Sequence, residues 1–564
     1  MGKSFFRMAV LSAAAGACLL AAKGGDIVIY GATPGGIAAA IEAKRLGMAP
    51  ILLEPTGKIG GLTTGGLGQT DIGNKSAFGG IAREFYQAIK AYYEKDGAWR
   101  FQKRLEYKPR GQSCWERGED AMWTFEPSAA TRVLEGWMRN WRIDLRRHER
   151  LDRGKGGVVV KDGRIVSIRM ENGNVYSAKV FLDCTYEGDL LAAAGVSYTV
   201  GREANSVYGE TISGIQRALM ENHQLNPGVD PYVKRGDPSS GLLPGIEKDC
   251  PEPDGTGDKR VQAYCFRMCL TDCPENRIPF KKPAGYDERD YELLFRNLEK
   301  WDDFAQIGKK RDRTGLPWIN SPMPNCKTDT NNRTGFATDF IGQNWRYPEA
   351  SYTERAQIEA AHLKYQQGLM WTLANHPRVP EAVRREVSRW GTCKDEFVGE
   401  RGDGWQNQLY VREARRMVGD YVMTEHNCRG QVKAPKPIAM GAYGMDSHNV
   451  RRYVGADGFA YNEGNIEDYS ANPPGKPYRR FRPFSVGYGA ITPKRADCVN
   501  LLVPVCLSSS HMAFGSIRME PAFFALGGAA GVAATLACQS NCAVQDVDYA
   551  QLRSVLAARG QVME

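Results

Sequence analysis

Two histidines stand where a base for proton abstraction would be needed. His511 follows the apolar run Asn500-Leu-Leu-Val-Pro-Val-Cys506, and His448 sits in Met445-Asp-Ser-His-Asn449 beside Asp446. An imidazole titrates near neutral pH, so either could take the proton that an alcohol or amine releases as it gives up hydride. His511 is the first candidate and His448 the second. Arg518 could bind an anionic oxygen, with Glu520 to orient it. Arg412, Arg415 and Arg416 recur around Glu413 at helical spacing, which reads as an acidic-substrate subsite or an ion-pair network. Lys327, Asp329, Asn331 and Asn332 could line a polar pocket, whereas His148, His223 and His376 precede ordinary loop sequence.

A second chemistry lies near the N-terminus. Asp26-Ile-Val-Ile-Tyr30 is a short apolar run, as for a buried parallel strand; the turn Gly31-Ala-Thr-Pro-Gly-Gly36, a helix-forming stretch to Leu46, and a second strand ending at Glu54 follow. This is a βαβ unit with a variant of the dinucleotide fingerprint. Gly31 permits the tight turn, Gly36 permits close helix–strand packing, and the helix start after Pro34 offers free N–H groups to a pyrophosphate. Thr33 replaces the middle glycine, with Gly35 restoring backbone approach. Glu54, eighteen residues beyond Gly36, is placed to accept hydrogen bonds from ribose hydroxyls. The second cluster, Gly60-Gly61-Leu62-Thr63-Thr64 and on to Gly68, lets bare backbone lie against phosphates or a flat ring. With one fingerprint and no second nucleotide motif, FAD is expected rather than a separate NAD(P)H domain.

The elements that must position these residues come from 564 residues carrying a net charge of +9. The charges are mixed, and Arg146, Arg147, Arg150 and Arg153 are diluted by Asp144, Glu149 and Asp152, so nucleic acid is not an expected partner. Lys3 and Arg7 followed by an apolar stretch from Met8 to Ala22 read as a secretory signal over 1–22, implying export to a periplasmic or extracellular compartment. No second apolar run is expected to span a membrane. Fourteen cysteines in an oxidising compartment permit disulfides; Cys265, Cys269 and Cys273, with Cys250, are the candidates, and no metal site is expected. Helices are expected over 80–95, 127–140, 352–375, 380–390 and 521–536. Strands are expected at 143–146, 158–160, 165–168, 175–180, 180–183 and 500–506. Asp162-Gly163 and Asn172-Gly173 mark hairpins of a β-meander. The fold class is therefore α/β: a discontinuous Rossmann-like FAD-binding domain with a β-meander (24–200 and 486–564) and an inserted α+β substrate domain (201–485).

Several motifs resemble one family. Gly31–Asp71, Gly79-Gly-Ile-Ala-Arg-Glu-Phe85, Phe181-Leu-Asp-Cys-Thr-Tyr-Glu-Gly-Asp189, Tyr198-Thr-Val-Gly-Arg-Glu203, Tyr410–Met417, Gly441–His448 and Ser510–Pro521 are similar to the FAD-dependent oxidoreductases of the glutathione-reductase-like type, often exported and sometimes labelled "xanthan lyase". The resemblance implies that Asp183, Gly188 and Asp189 form the strand-end FAD motif, with Cys184 and Tyr186 departing from the usual residues. It also implies that Arg518 and the following helix, with Gly527, lie at the flavin. The expected function is hydride transfer from a polar small molecule, a sugar-like alcohol foremost, to flavin N5. The substrate is thus carbohydrate-derived, and no motif names the electron acceptor. Two other classes stay open: an FAD-dependent reductase of an activated alkene or keto group, and a non-redox lyase or binding protein with flavin as scaffold.

Overall fold

The computed structural model describes residues 23–110, 118–217, 223–301, 316, 318–468 and 482–564; the leader expected at 1–22 lies outside them. In chain order the first part contains β1 (Lys23–Tyr30), α1 (Pro34–Arg45), β2 (Ile51–Glu54), α2 (Gly61–Thr64), α3 (Gly80–Tyr93), α4 (Pro127–Asn140), β3 (Asp144–Arg147), β4 (Val158–Lys161), β5 (Arg164–Arg169), β6 (Val175–Asp183), α5 (Asp189–Ala193), β7 (Tyr198–Val200) and α6 (Asn205–Tyr208). The middle contains β8 (Met268–Thr271), β9 (Arg277–Ile278), α7 (Glu292–Glu299), β10 (Trp318–Met323), β11 (Lys327–Asn332), α8 (Tyr352–Asn375), α9 (Glu381–Ser388), β12 (Gly391–Cys393), β13 (Arg415–Met417) and α10 (Glu425–Cys428). Short strands β14 (Pro437–Gly441), β15 (Met445–Ser447), β16 (Arg451–Val454), β17 (Ala460–Glu463), β18 (Ile466–Asp468), β19 (Phe484–Gly487) and β20 (Leu501–Leu502) lead to α11 (His511–Ile517), α12 (Glu520–Ser540) and α13 (Tyr549–Ala558).

The main sheet runs β3-β2-β1-β6-β5-β4, with β20 also on β6. Strands β3, β2, β1, β6 and β20 are parallel, and β5 and β4 return antiparallel as the meander. Parallel strands covered on both faces need apolar side chains on both, and Ile27, Val28, Ile29, Phe181 and Leu182 are each fully buried. Asp162 and Gly163 both take positive φ, +50° and +69°, as a primed hairpin turn requires. A second, antiparallel sheet of order β10-β11-β8-β12-β9 belongs to the middle of the chain.

Four expectations are corrected. Residues 175–183 form one continuous strand rather than two. Only Leu501–Leu502 of the 500–506 run joins a ladder, and Pro504 within it has no N–H to give. The segment Tyr410–Met417 is not helical: Arg415–Met417 pair antiparallel with Tyr198–Val200. Glu520–Ser540, against the expectation of no second apolar run of spanning length, is long and apolar enough to cross a membrane by composition, yet it is buried in the protein from Glu520 to Cys538.

That burial depends on small residues. A Cβ at Gly527 would lie 2.1 Å from the Gly35 carbonyl oxygen, and one at Gly531 would lie 2.3 Å from that of Ala39. Backbone therefore meets backbone where α12 crosses α1, and the helix that follows the last strand holds the first glycine turn in place.

Candidate active site

The glycine turn is built by contacts that leave no room for side chains. Gly31 has φ +99°, and a Cβ there would approach Cys184 at 2.9 Å; a Cβ at Gly36 would lie 1.9 Å from the Gly31 carbonyl oxygen. Thr33 caps α1: its hydroxyl accepts from Gly36 N at 3.4 Å and donates to the Cys184 carbonyl at 2.7 Å. The hydroxyl thus ties the turn to the end of β6. Pro34 sits at the first helical position, where a missing N–H is harmless.

Glu54 ends β2 with one carboxylate oxygen accepting from Ala32 N at 3.0 Å and the other from Thr56 N and Oγ1 at 2.8 and 2.7 Å. Burial raises its pKa. Gly31, Thr33, Glu54, Lys58, Gly61, Tyr186 and Asp189 are among the walls of a 250 Å³ cavity. A cradle that a Cβ would fill, a capped helix start and a strand-end carboxylate on one cavity fit the ADP half of a dinucleotide.

The second glycine cluster closes over the first. Gly60 N donates to the Ala32 carbonyl at 2.7 Å, and Gly60 and Gly61 have φ of +92° and +48°. Leu62 N donates to the Tyr186 hydroxyl at 3.1 Å, Thr63 Oγ1 donates to Glu520 at 2.8 Å, and Thr64 Oγ1 donates to the Ile59 carbonyl at 2.6 Å. The Tyr186 hydroxyl donates to the other Glu520 oxygen at 3.0 Å. Burial pushes the Glu520 carboxyl up to about 7. Glu520 therefore gathers Thr63 and Tyr186 and does not orient Arg518 as the sequence reading expected.

Four further candidates have these places, of which Asp189 also lines the cavity. Asp183 is fully buried and turned inward, accepting from Thr185 N, Thr185 Oγ1 and Leu191 N, so it fastens the strand end to α5. Gly188 enters α5 with φ +68°, and Asp189 gathers Arg153, Arg355 and Arg415 at 2.9, 2.7 and 2.8 Å. Burial works to raise the Asp189 pKa, but the arginines outweigh it and hold it at about 2. Gly527 serves helix packing against Gly35 and is not on the cavity wall.

A polar cluster from five distant segments surrounds Arg518. Its guanidinium donates to the Tyr410 hydroxyl at 3.1 Å and to Asp446 Oδ2 at 3.3 Å. His448 Nδ1 lies 2.6 Å from Asp339 Oδ2, and Arg412 holds the other Asp339 oxygen at 3.0 Å. The remaining His448 nitrogen faces Asp446 Oδ2 at 4.0 Å. Burial, with Arg412 beside it, lowers the His448 pKa and so favours the neutral ring. Arg267 pairs with Asp329, and half-buried Asp71 beside them is raised to about 6 by burial, against the pull of Arg267.

His511 differs from His448. Its Nδ1 meets Glu413 at 2.8 Å, its Nε2 meets Ser447 Oγ at 3.1 Å, and it is 1% exposed, so both ring nitrogens are engaged. Burial would raise the Glu413 pKa, but His511 and Arg416 hold it at about 2. Arg415 and Arg416 belong to structural networks with Asp189 and Glu203, so the acidic-substrate reading of the arginine run is withdrawn. Lys327 inserts its ammonium among Glu126, Asp395 and Glu396, the carboxylates that converge closely enough to invite a cation. Cys250, Cys265 and Cys273 lie against Arg451, Arg412 and Glu275, so the expected pairing among them is not formed. Asp71, Arg267 and Asp339 were missed as site residues because only tertiary contacts bring them to the cluster; the nearest of the three in sequence, Asp339, is 109 residues from His448.

The match to known families agrees with this arrangement. The family described as FAD dependent oxidoreductase matches residues 26–556, nearly the whole described chain. The chain belongs to the FAD-dependent oxidoreductase family. It is an FAD enzyme by that membership, and both glycine clusters, Glu54 and the Arg518 cluster lie inside the matched span. No curated protein matches it. Among solved structures it is similar to a flavin-containing monooxygenase from Stenotrophomonas maltophilia (13% identity, 33% of this chain and 43% of that one, TM-score 0.19). It is also similar to an L-amino acid deaminase from Proteus vulgaris (16% identity, 32% and 53%, TM-score 0.22). The chain spans about half or less of the length of these structures.

Proposed function

We propose that this FAD-dependent oxidoreductase oxidises an uncharged polar small molecule, foremost a sugar-like alcohol, with His448 as the base. FAD, when bound, supplies the two-electron acceptor at N5. The observation that carries the reading is the Asp339–His448 pair at 2.6 Å, which fixes Nδ1 and leaves the other nitrogen toward Asp446. A neutral imidazole held that way takes the hydroxyl proton as the substrate is oxidised. Charge matching supports an uncharged substrate: Arg267, Arg412 and Arg518 are answered by Asp329, Asp339 and Asp446, and Asp71 is left over. A carboxylate substrate would add one more negative charge to a cluster in which three arginines already face four aspartates. Tyr410, between Arg518 and Arg412, supplies a phenol that can hold a second hydroxyl.

The reverse reading, reduction of an activated alkene or keto group, draws on Asp71: a carboxyl raised to about 6 retains some of its protons near neutrality and can deliver one. The glutathione-reductase subtype, and export through the 1–22 leader to a periplasmic or extracellular site, complete the proposal. They rest on the sequence motifs. The test is an anaerobic screen of the FAD-loaded protein. Bleaching of the flavin absorbance by sugar alcohols but not by their carboxylate analogues supports oxidation. Re-oxidation of pre-reduced protein by an enone, with no bleaching by any alcohol, transfers the case to the reductase. Bleaching by carboxylates in preference to neutral alcohols refutes the charge argument.

A further inference from the structure

Two thiols face each other in the interior of the five-stranded sheet. Strand β12 runs antiparallel to β8 with Gly391 opposite Thr271 and Thr392 opposite Leu270, so the next pair is Cys393 opposite Cys269. Directly opposed residues of an antiparallel pair have Cα atoms about 4.5 or 5.5 Å apart, inside the roughly 4.4–6.8 Å window a disulfide needs. The two sulfurs are 3.9 Å apart and both residues are at most 1% exposed. Met323 and Phe397 pack on them as a small separate core cluster, with the buried Lys327–Glu396 pair also close by. A modest rotation of the two side chains brings the sulfurs into bonding distance without moving a strand.

We propose that Cys269 and Cys393 are the partners of a cross-strand disulfide. The oxidant is a low-molecular-weight disulfide, RS–SR. One protein thiolate attacks a sulfur of the donor and expels one RS⁻; the second attacks the mixed disulfide and expels the other. The two protein thiols give up two protons and two electrons, and the donor leaves as two RSH. Burial works against thiolate formation at Cys269 once the sheet has closed, so exchange belongs to the folding chain, before β12 docks on β8. The bond lies one strand from the proposed reaction cluster. Asp329 is directly opposite Cys269 on the other side of β8, and Arg267, two residues before Cys269, pairs with that Asp329. A Cys269–Cys393 bond therefore fixes β8 beneath the Arg267–Asp329 pair and closes a loop of more than a hundred residues.

The test uses the full chain produced in a bacterial periplasm, denatured in iodoacetamide without reductant and digested with trypsin. The expected result is a linked pair of peptides, 268–277 and 390–394. The link should be absent from Cys393→Ser and retained in Cys273→Ser, which clears the second cysteine of the first peptide. Thermal unfolding should shift down by about 3 °C on reduction of the wild type, a shift lost in the double variant Cys269→Ser, Cys393→Ser. Alkylation of both Cys269 and Cys393 in the wild type, or a link from either to another cysteine, overturns the proposal. The wild-type digest decides this even where a variant fails to fold.

Discussion

Gly527→Ala weakens FAD binding from outside the cavity. The new methyl would lie 2.1 Å from the Gly35 carbonyl oxygen and 2.4 Å from its Cα. Restoring van der Waals contact needs a displacement of about 1 Å between α12 and the glycine turn. Overpacking of this kind costs about 1–3 kcal/mol. If half or more of it falls on the turn, the FAD dissociation constant rises about 2- to 140-fold, since each 1.4 kcal/mol is about a factor of ten. Gly36→Ala should be worse, because its Cβ would lie 1.9 Å from Gly31 O inside the turn itself. Gly35→Ala should be milder, since its nearest neighbour is a Val505 methyl at 3.1 Å. Gly97→Ala, with nothing within 4 Å and no positive φ, is the control. The assay is FAD titration by fluorescence quenching, paired with thermal unfolding of the FAD-free protein. The predicted order of affinity is wild type and Gly97→Ala, then Gly35→Ala, Gly527→Ala and Gly36→Ala. Wild-type affinity in Gly527→Ala would refute the claim that α12 positions the cofactor turn.

Asp339→Asn should lower turnover by about 10²- to 10⁴-fold. It should also move the acid limb of the pH–rate profile to lower pH, because Asp339 is what raises the His448 pKa against burial and Arg412; a limb that moves to higher pH contradicts this. His511→Ala, by contrast, should lower thermal stability through the partner that buried Glu413 loses, with Arg416 and Gln262 still on it, while leaving the position of that limb unchanged. Lys58→Ala removes a 2.5 Å bridge to Glu400 beside the cavity mouth and should speed FAD release only about 2- to 5-fold, an effect that salt erases, as suits a partly exposed pair. Glu520→Gln keeps one acceptor oxygen, presents N–H to the other hydroxyl much as the protonated acid presents O–H, and cannot ionise. Because burial raises the folded pKa to about 7, the wild type has its full stability below the ordinary carboxyl range and loses it as pH rises to 7 and above. Urea unfolding of the FAD-free protein should show the variant equal to wild type at pH 4 and about 3 kcal/mol more stable at pH 8.

The first βαβ unit was legible because each local signal agrees with its tertiary role. An apolar run, a glycine turn that only glycine fits at Gly31 and Gly36, and a carboxylate at the strand end need no knowledge of the rest of the chain. The long helices were legible for the same reason: Ser351 and Glu354 form a capping box for α8 within four residues of each other. Where long-range pairing decides, local pattern failed. Arg412, Arg415 and Arg416 have helical spacing, but β7 draws Arg415–Met417 into a ladder. The sequence places His511 ahead of His448, and no local pattern around either residue shows the partners that reverse that order in the proposed reading. The proposed reading in favour of His448 rests on Asp339, Glu413 and Ser447, which lie 109, 98 and 64 residues from the histidines they touch. The glycine at 527 announced a close approach but not to what: its partner is backbone of the first turn rather than a ligand.

The most direct measurement is of His448 itself in the FAD-loaded protein under anaerobic conditions: the pH dependence of flavin bleaching by a neutral sugar alcohol, in wild type and in His448→Ala. The wild-type rate should fall as pH drops through a pKa below the ordinary imidazole range, and the His448→Ala protein should still carry one FAD per chain yet bleach at least about 100-fold more slowly with that acid limb gone. A variant that binds FAD and bleaches at the wild-type rate with the same limb would contradict His448 as the base.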